Sequence, residues 1–359
     1  MAVNQGDVAL RAGVARKTVS NVINGYPHVR DEVRQRVLVA IDELGYQPNR
    51  AAQNLRTGRS GVIGLAVPEL DVSYFAELTR LAVEESEKRG LTVLVIQTLG
   101  DRAREQAALN GFGRQLIDGL ICSPIASSSE DLRTRSEGFP VVLLGEQISG
   151  SNHVGIDNVA AARVATEHLL SLPRRRIAFI GAGASADSHM ADLRLGGYRE
   201  ALSSAGIAYD EQLVGKVSGY HRHDGSEATR RLLEETGGQL PDALFCANDL
   251  LAQGAMRALH EKGLTIPGDV AVVGFDDIDE AEYSIPSLTT ISPDKAQIAQ
   301  TAVSLLMTLM RGSGEVVHDT VTDFMLRVRE STVGRRASTH RSQADRAEGI
   351  LTWRPGAGS

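Results

Sequence analysis

The stretch AGVARKTVSNVING, residues 12–25, decides how the front of this chain folds. Gly13 interrupts one helical pattern, and a second follows that opens on two cations, Arg16 and Lys17. Glycine accepts the left-handed backbone that a sharp helix stop requires. Upstream, Asn4 stands where a side-chain oxygen caps a first helix running through Asp7, Val8, Ala9 and Leu10. The second helix spans about residues 15–24, with Val14 and Val19 at the spacing of a hydrophobic staple. NGYPH, residues 24–28, reads as a loop. A third helix carries Val33, Val37, Ala40, Ile41 and Leu44 at helical period and stops at Gly45. Val8, Ala12, Val19, Val22, Val37 and Ile41 supply a minimal core.

Helix, glycine turn, helix at this length is the helix-turn-helix pattern, and a bundle used for protein contacts shares it. In the DNA-binding form the second helix enters the major groove and its N-terminal residues reach base edges. Arg16 and Lys17 then donate to guanine O6 and N7, Asn21 lies one turn further on, and Thr18 and Ser20 donate to phosphates. Charge separates the alternatives. The chain has a formal charge of -7, yet residues 1–60 hold nine Lys/Arg against five Asp/Glu, a local +4 that leaves -11 for the rest. A basic head on an acidic body is the asymmetry of a polyanion-binding module.

Residues 49–61, NRAAQNLRTGRSG, follow Pro48. Asn49 can cap two helical turns over 50–56, a helix too short to be stable alone in water. Residues 57–61 read as a linker. Beyond Gly61 the pattern changes to short apolar runs, GVIGLAVP, LTVLVI, GLICSP, PVVLLG, RIAFIG, ALFCA and VAVVGF. Amphipathic stretches such as 75–88, 160–170, 195–204 and 250–262 separate them. Continuous Val/Ile/Leu runs between helices predict parallel strands covered on both faces, a doubly wound α/β body. A body of this length exceeds one such sheet, so two lobes are expected. Residues 334–359 turn polar without an apolar period and read as a disordered tail; they carry no leucine heptad for a coiled-coil arm.

The sequence resembles the lactose/galactose repressor family of bacterial transcription regulators. The resemblance covers residues 4 to about 333. It is carried by DVALRAGVARKTVSNVING, VRQRVLVAIDELGYQPNRAAQNLR, FCANDLLAQGAMRAL, VAVVGFDDID, IPSLTTISPDK and LRVRESTVGR. It implies a helix-turn-helix domain at 1–48, a hinge helix and linker at 49–60, and a two-lobed, periplasmic-binding-protein-like body at 61–333 that binds an effector and dimerises. The first lobe would comprise about 61–156 and 293–318, the second about 157–292 and 319–333. Arg16, Lys17, Thr18, Ser20 and Asn21 would face the groove. Asn49, Arg50, Ala52 and Leu55 would contact DNA from the hinge. Leu55, apolar in a polar segment, would pair with its dimer mate as a minor-groove wedge.

The chain departs from the family pattern at several points. Ala15 stands where Ser is common, which removes a helix cap, and Asn21 where Arg is common. Gln5 and Gly6 replace an apolar residue and a better helix former, and Arg30 replaces a Ser cap before the third helix.

Ligands of such bodies lie at the carboxyl ends of strands, in a cleft between lobes. The polar candidates there are Asp71, Tyr74, Phe75, Asp157, Arg194, Asn248 and Asp276. Carboxylate, amide and guanidinium groups each hold two neighbouring hydroxyls, and Tyr220 or Phe275 would cover an apolar sugar face. The resemblance matches Arg194, Asn248, Asp276 and Tyr220 to effector contacts and places Glu146 near another. Asn248 competes with Asp249 for the role of helix cap; we expect Asn248 on the ligand and Asp249 on structure.

Other chemistries leave little trace. Gly181, Gly183 and Ala186 make a lone G-x-G-x-x-A match after a strand, without the acidic residue a dinucleotide site needs. His221 and His223 have no Cys or acidic pattern for a metal. There is no P-loop and no G-x-S-x-G elbow, so no enzyme activity, cofactor or metal is expected. Cys122 and Cys246 sit in apolar runs as buried thiols, and a reducing compartment suits them. The first thirty residues hold no apolar core of signal-peptide length and nothing approaches a membrane span, so a cytoplasmic protein is expected.

Two functions remain. One is a transcriptional regulator, a repressor, that binds near-palindromic operator DNA as a homodimer under control of a small-molecule effector, a carbohydrate by the family's commonest choice. The other is a sugar- or nucleotide-binding protein with an unrelated basic N-terminal module. Duplex binding by the head joined to the body separates them.

Overall fold

The chain divides into two units at Ser60/Gly61. The computed structural model describes residues 3–23, 26–46, 60–111, 116–133, 138–145, 150–183, 189–237, 239–312, 318–334 and 350–353.

The first unit holds α1 (Gln5–Ala12), α2 (Arg16–Ile23) and α3 (Asp31–Leu44). Asn4 caps α1 through a capping box with Asp7, and Gly13 ends it with φ +64°. Gly45 ends α3, and Arg30 precedes α3 without a side-chain cap. Val8, Ala9, Ala12, Val19, Val22, Val37, Ala40 and Tyr46 form the core, with Val14 and Ile41 packed at its margin. Ala15 offers α2 no hydroxyl, so packing of Val19 and Val22 holds that helix.

The second unit continues β1 (Val62–Val67), α4 (Ser73–Glu87), β2 (Thr92–Gln97), α5 (Arg102–Leu109), β3 (Leu120–Cys122), α6 (Ser129–Arg133), β4 (Val141–Leu144) and β5 (His153–Gly155). Next come α7 (Asn158–Ser171), β6 (Ile177–Gly183), α8 (His189–Ser204), β7 (Val214–Val217), α9 (Arg222–Glu235), β8 (Ala243–Cys246), α10 (Asp249–Glu261), β9 (Ala271–Phe275) and α11 (Asp279–Tyr283). The last described elements are β10 (Thr289–Pro293), α12 (Lys295–Met310), β11 (Asp319–Val321), β12 (Phe324–Arg327), α13 (Glu330–Val333) and β13 (Ile350–Trp353).

Two sheets result, with strand orders β11-β5-β4-β3-β1-β2 and β13-β12-β10-β9-β8-β6-β7. All pairings in the first are parallel. Alternate residues of β1 serve its two faces: Ile63, Leu65 and Val67 meet Leu78, Ala82, Ile298 and Val303, while Ala66 meets Ala108, Leu109 and Leu120. The second sheet wraps Phe179, Phe245 and Phe275, all fully buried. The chain passes between the lobes at 155–158, 293–295 and 321–324.

Three expectations are corrected. The parallel order fails at one edge, where β12 runs antiparallel to β10 and β13 antiparallel to β12. Residues 319–321, expected in the second lobe, pair with β5 of the first. His153 Nδ1 lies 2.8 Å from Asp319 Oδ1 and reinforces that pairing. Within the expected disordered tail, 350–353 form a strand, because ILTW is a short β-prone run against the free edge of β12.

Candidate functional site

In the first unit, burial of Val19 and Val22 turns the opposite face of α2 outward. Arg16 and Lys17 are exposed at its start, and Thr18, Ser20 and Asn21 are half-buried along it. Arg16 Nη2 donates to Asn4 Oδ1 at 3.3 Å. The face therefore presents two cations at the end from which a groove-reading helix reaches base edges. Asn49, Arg50, Ala52 and Leu55 lie outside the described residues, and so does Glu146.

In the second unit, the strand ends converge on a narrow cavity lined by residues that include Tyr74, Asn158, Met190, Arg194, Phe275 and Asp276. Arg194, on α8, is its organiser. Its guanidinium lies over the Phe275 ring, 3.6 Å from the centroid. Nε donates to Asn158 Oδ1 at 3.1 Å, Nη1 donates to the Ala247 carbonyl, and Nη2 stands 3.8 Å from Asp276 Oδ1. Asp276 follows β9 with φ +108°, and Asp277 has φ +49°, both unusual for a side chain-bearing residue. Burial pushes the Asp276 carboxyl up to about 6, although Arg194 and Lys295 pull it down. Burial, with the Asp276 charge, likewise drives the Tyr74 phenol well above its ordinary range.

The lobes meet across this cavity. Lys295 Nζ, at the start of α12, donates to the carbonyls of Asp276 and Asp277 at 3.0 and 2.8 Å. It also lies 2.5 Å from the Glu77 carboxylate, whose Oε1 accepts from Asp279 N–H at 3.1 Å. Ser73 Oγ donates to Glu280 Oε1 at 2.6 Å, and His221 Nε2 stands 3.4 Å from Glu69.

The structure brings Tyr74, Arg194 and Asp276 together and leaves other candidates elsewhere. Asp71 is exposed. Phe75 packs on the core of the first lobe, 5.4 Å from the Tyr74 ring. Asp157 caps α7, accepting from Ala160 N–H at 2.9 Å. Asn248 caps α10, accepting from Leu251 N–H at 2.8 Å, and donates to the Tyr220 carbonyl at 3.0 Å, so both ends of its amide are engaged. Asp249 is structural as expected: fully buried, it accepts from Thr290 Oγ1 at 2.6 Å and Ile278 N–H at 3.0 Å. Phe275, expected to cover a sugar face, is covered by Arg194 and fully buried. Asn158, Glu77 and Lys295 escaped the sequence. Only Asn158 left a signal there, as a polar neighbour of the Asp157 cap.

The remaining motifs have structural explanations. Gly181 and Gly183 lie within β6, and the register shifts between Ile180 and Ala182. Gly181 has φ +133°, and a Cβ there would come within 2.3 Å of the Ala247 Cβ. It forms a bulge under close packing, not a phosphate loop. Ala186 lies outside the described residues. His221 and His223 stack on one another, and the described residues hold no group of His, Cys, Asp and Glu able to bind a metal. Cys122 and Cys246 are free and buried. No helix of the described residues is long and apolar enough to cross a membrane.

A parallel two-lobed body behind a basic helix-turn-helix defines a class, and comparison with known proteins agrees. Residues 6–49 match bacterial regulatory proteins of the lacI family, and residues 166–332 match the periplasmic binding protein-like domain. The HTH-type transcriptional repressor PurR of Haemophilus influenzae (strain PittEE) is 32% identical over 304 residues, 84% of this chain and 89% of that protein. A solved complex of the transcriptional regulator CelR with cellobiose aligns with a TM-score of 0.67 at 32% identity, over 92% of this chain and 99% of that one. The lac repressor dimer bound to operator and the anti-inducer ONPF aligns with a TM-score of 0.80 at 29% identity, again over 92% and 99%. The chain belongs to the lacI family of bacterial regulatory proteins. It is a DNA-binding transcriptional regulator, and its basic head is the family's own module.

Proposed function

We propose that this chain is a homodimeric repressor of the cytoplasm, gripping a near-palindromic operator with two heads while a carbohydrate in the cleft sets the strength of that grip. The observation that carries the effector half is the convergence of Arg194, Asp276, Asn158 and Tyr74 between the lobes. The Asp276 carboxylate accepts from one hydroxyl while the Arg194 guanidinium donates to its neighbour, and a phenol and an amide fix the ring orientation. The cellobiose held by the related CelR supports a sugar. Tyr220, whose carbonyl accepts from the capping Asn248, borders the ligand, and Glu146 completes the set.

In the head, Arg16 and Lys17 read bases, Asn21 reads one turn further on, and Thr18 and Ser20 hold phosphates. Asn49, Arg50, Ala52 and Leu55 act from the hinge, with Leu55 as the wedge. Because so short a helix is marginal alone, a small change in the body switches it between formed and melted. The ties Ser73–Glu280, Glu77–Asp279 and Lys295–Asp276 are the contacts an effector would strengthen or break.

The dimer surface includes Tyr283 and Ile285, which are 74% and 96% exposed beside a groove lined by Met256, Leu264 and Ile266. Large apolar side chains so exposed suit a second copy of the chain, and the related lac repressor is a dimer on its operator. A thermal-shift screen of sugars and nucleosides tests the effector half. A ligand that binds only the folded cleft raises the melting temperature, and an Arg194→Ala chain would lose that rise.

A further inference from the structure

Gly6 sits in the first turn of α1 with an ordinary helical φ, so the backbone there does not need glycine. Glycine weakens a helix relative to alanine. What occupies the space above it is Arg16. A Cβ at residue 6 would lie 3.1 Å from both Nε and Nη2 of Arg16, and 2.8 Å from Asn4 Oδ1. That oxygen accepts from Gly6 N–H at 2.7 Å and from Arg16 Nη2 at 3.3 Å, while Asn4 N–H donates to Asp7 at 2.8 Å. The arginine thus starts on α2 and ends on the capped N-terminus of α1.

We propose that Gly6 and Asn4 are positioning residues for Arg16, confining its guanidinium in the orientation from which it reads a base and so setting the sequence preference at that base. The inference rests on the assignment of Arg16 as a base contact. An arginine side chain loses much rotamer freedom when it docks, and a slot that already confines it reduces that loss. Guanidinium has five donors, so one given to Asn4 leaves a two-donor edge for guanine O6 and N7. The hold does not sequester the group. It is one long hydrogen bond to a neutral oxygen shared with the helix cap, weaker than a bidentate base contact.

The test uses the full chain and a duplex that the wild-type protein selects from a random pool, together with its single-base variants. Arg16→Ala flattens the preference at one base position. Gly6→Ala lowers discrimination at that same position roughly three- to tenfold, leaves the other positions and the salt slope unchanged, and does not lower the melting temperature. In the Arg16→Ala background Gly6→Ala adds nothing. Asn4→Ser, which keeps a capping oxygen but shortens its reach, reproduces the Gly6→Ala pattern more weakly. The inference is overturned if Gly6→Ala keeps or sharpens the discrimination, weakens every position evenly, or acts equally without Arg16. If Arg16→Ala itself leaves every position unchanged, the base-contact assignment falls first and the inference with it.

Discussion

The Arg194 guanidinium carbon lies over the Phe275 ring, 3.6 Å from its centroid, and that aromatic is itself fully buried. Hydrogen bonds to Asn158 and Ala247 hold the guanidinium there and leave Nη2 3.8 Å from Asp276 Oδ1. Lysine keeps the charge but neither the plane nor the fork. Arg194→Lys therefore leaves Asn158 Oδ1 and the Ala247 carbonyl short of donors. It should cost about 1–3 kcal/mol of stability and at least about tenfold in effector affinity, while effector-free DNA binding stays near wild type. Calorimetric titration with a sugar found by the thermal-shift screen, alongside a melt, checks both.

Asp276 makes the cleft sensitive to pH. Its carboxyl titrates near 3.8 when unfolded and at about 6 in the folded protein, because burial disfavours the charge. Between those values the folded chain keeps a proton that the unfolded chain has lost. This group therefore lowers stability as pH rises from about 4 to about 6 and changes nothing above, an effect of about 3 kcal/mol at most. In the proposed site the carboxylate is the acceptor for effector hydroxyls, so affinity should fall as pH drops below about 6. Asp276→Asn should flatten both dependences, measured by denaturant titrations and binding across pH 4–8.

The predicted strands of the body were those written in continuous Val, Ile and Leu, such as VIGLAV and AVVGF. HVG, VGKV and DTV were too short or too polar to show a period, and only neighbouring strands make them β. That is why the third crossing between the lobes lies beyond Val321 and not before Asp319. In the site, Arg194 and Asp276 stood out as charges at the ends of apolar elements. Asp157 and Asn248 stood out equally, yet serve as helix caps, since a strand end leading into a helix asks for the same residue types as a ligand does. Lys295 and Glu77 meet only because α12, more than two hundred residues further along the chain, packs beside α4 in the first lobe, a relation no local pattern records.

The exposed pair Tyr283 and Ile285 gives the dimer a simple probe. Ile285→Arg puts a charge at the centre of the proposed interface without touching the core. Sedimentation should show monomers at micromolar concentration. Operator affinity should fall by at least about tenfold, because two heads on one duplex gain from their effective concentration. A dimer unchanged in mass would remove this face from the interface.

Leu55 lies outside the described residues, so its role stands on sequence. Leu55→Ala should weaken binding to the selected duplex by a few kcal/mol, the cost of losing an intercalated wedge. Binding to unrelated duplex should change little. Equal loss on both would mean that Leu55 supports the chain and does not open the base step.

The most direct measurement is duplex binding by the full-length chain across a random pool, repeated at several salt concentrations and with the thermal-shift ligand. One enriched, near-palindromic site is expected, with an affinity that drops steeply with salt and changes at least about tenfold when the ligand is added. No enriched site, or one indifferent to every ligand that stabilises the body, would contradict that expectation.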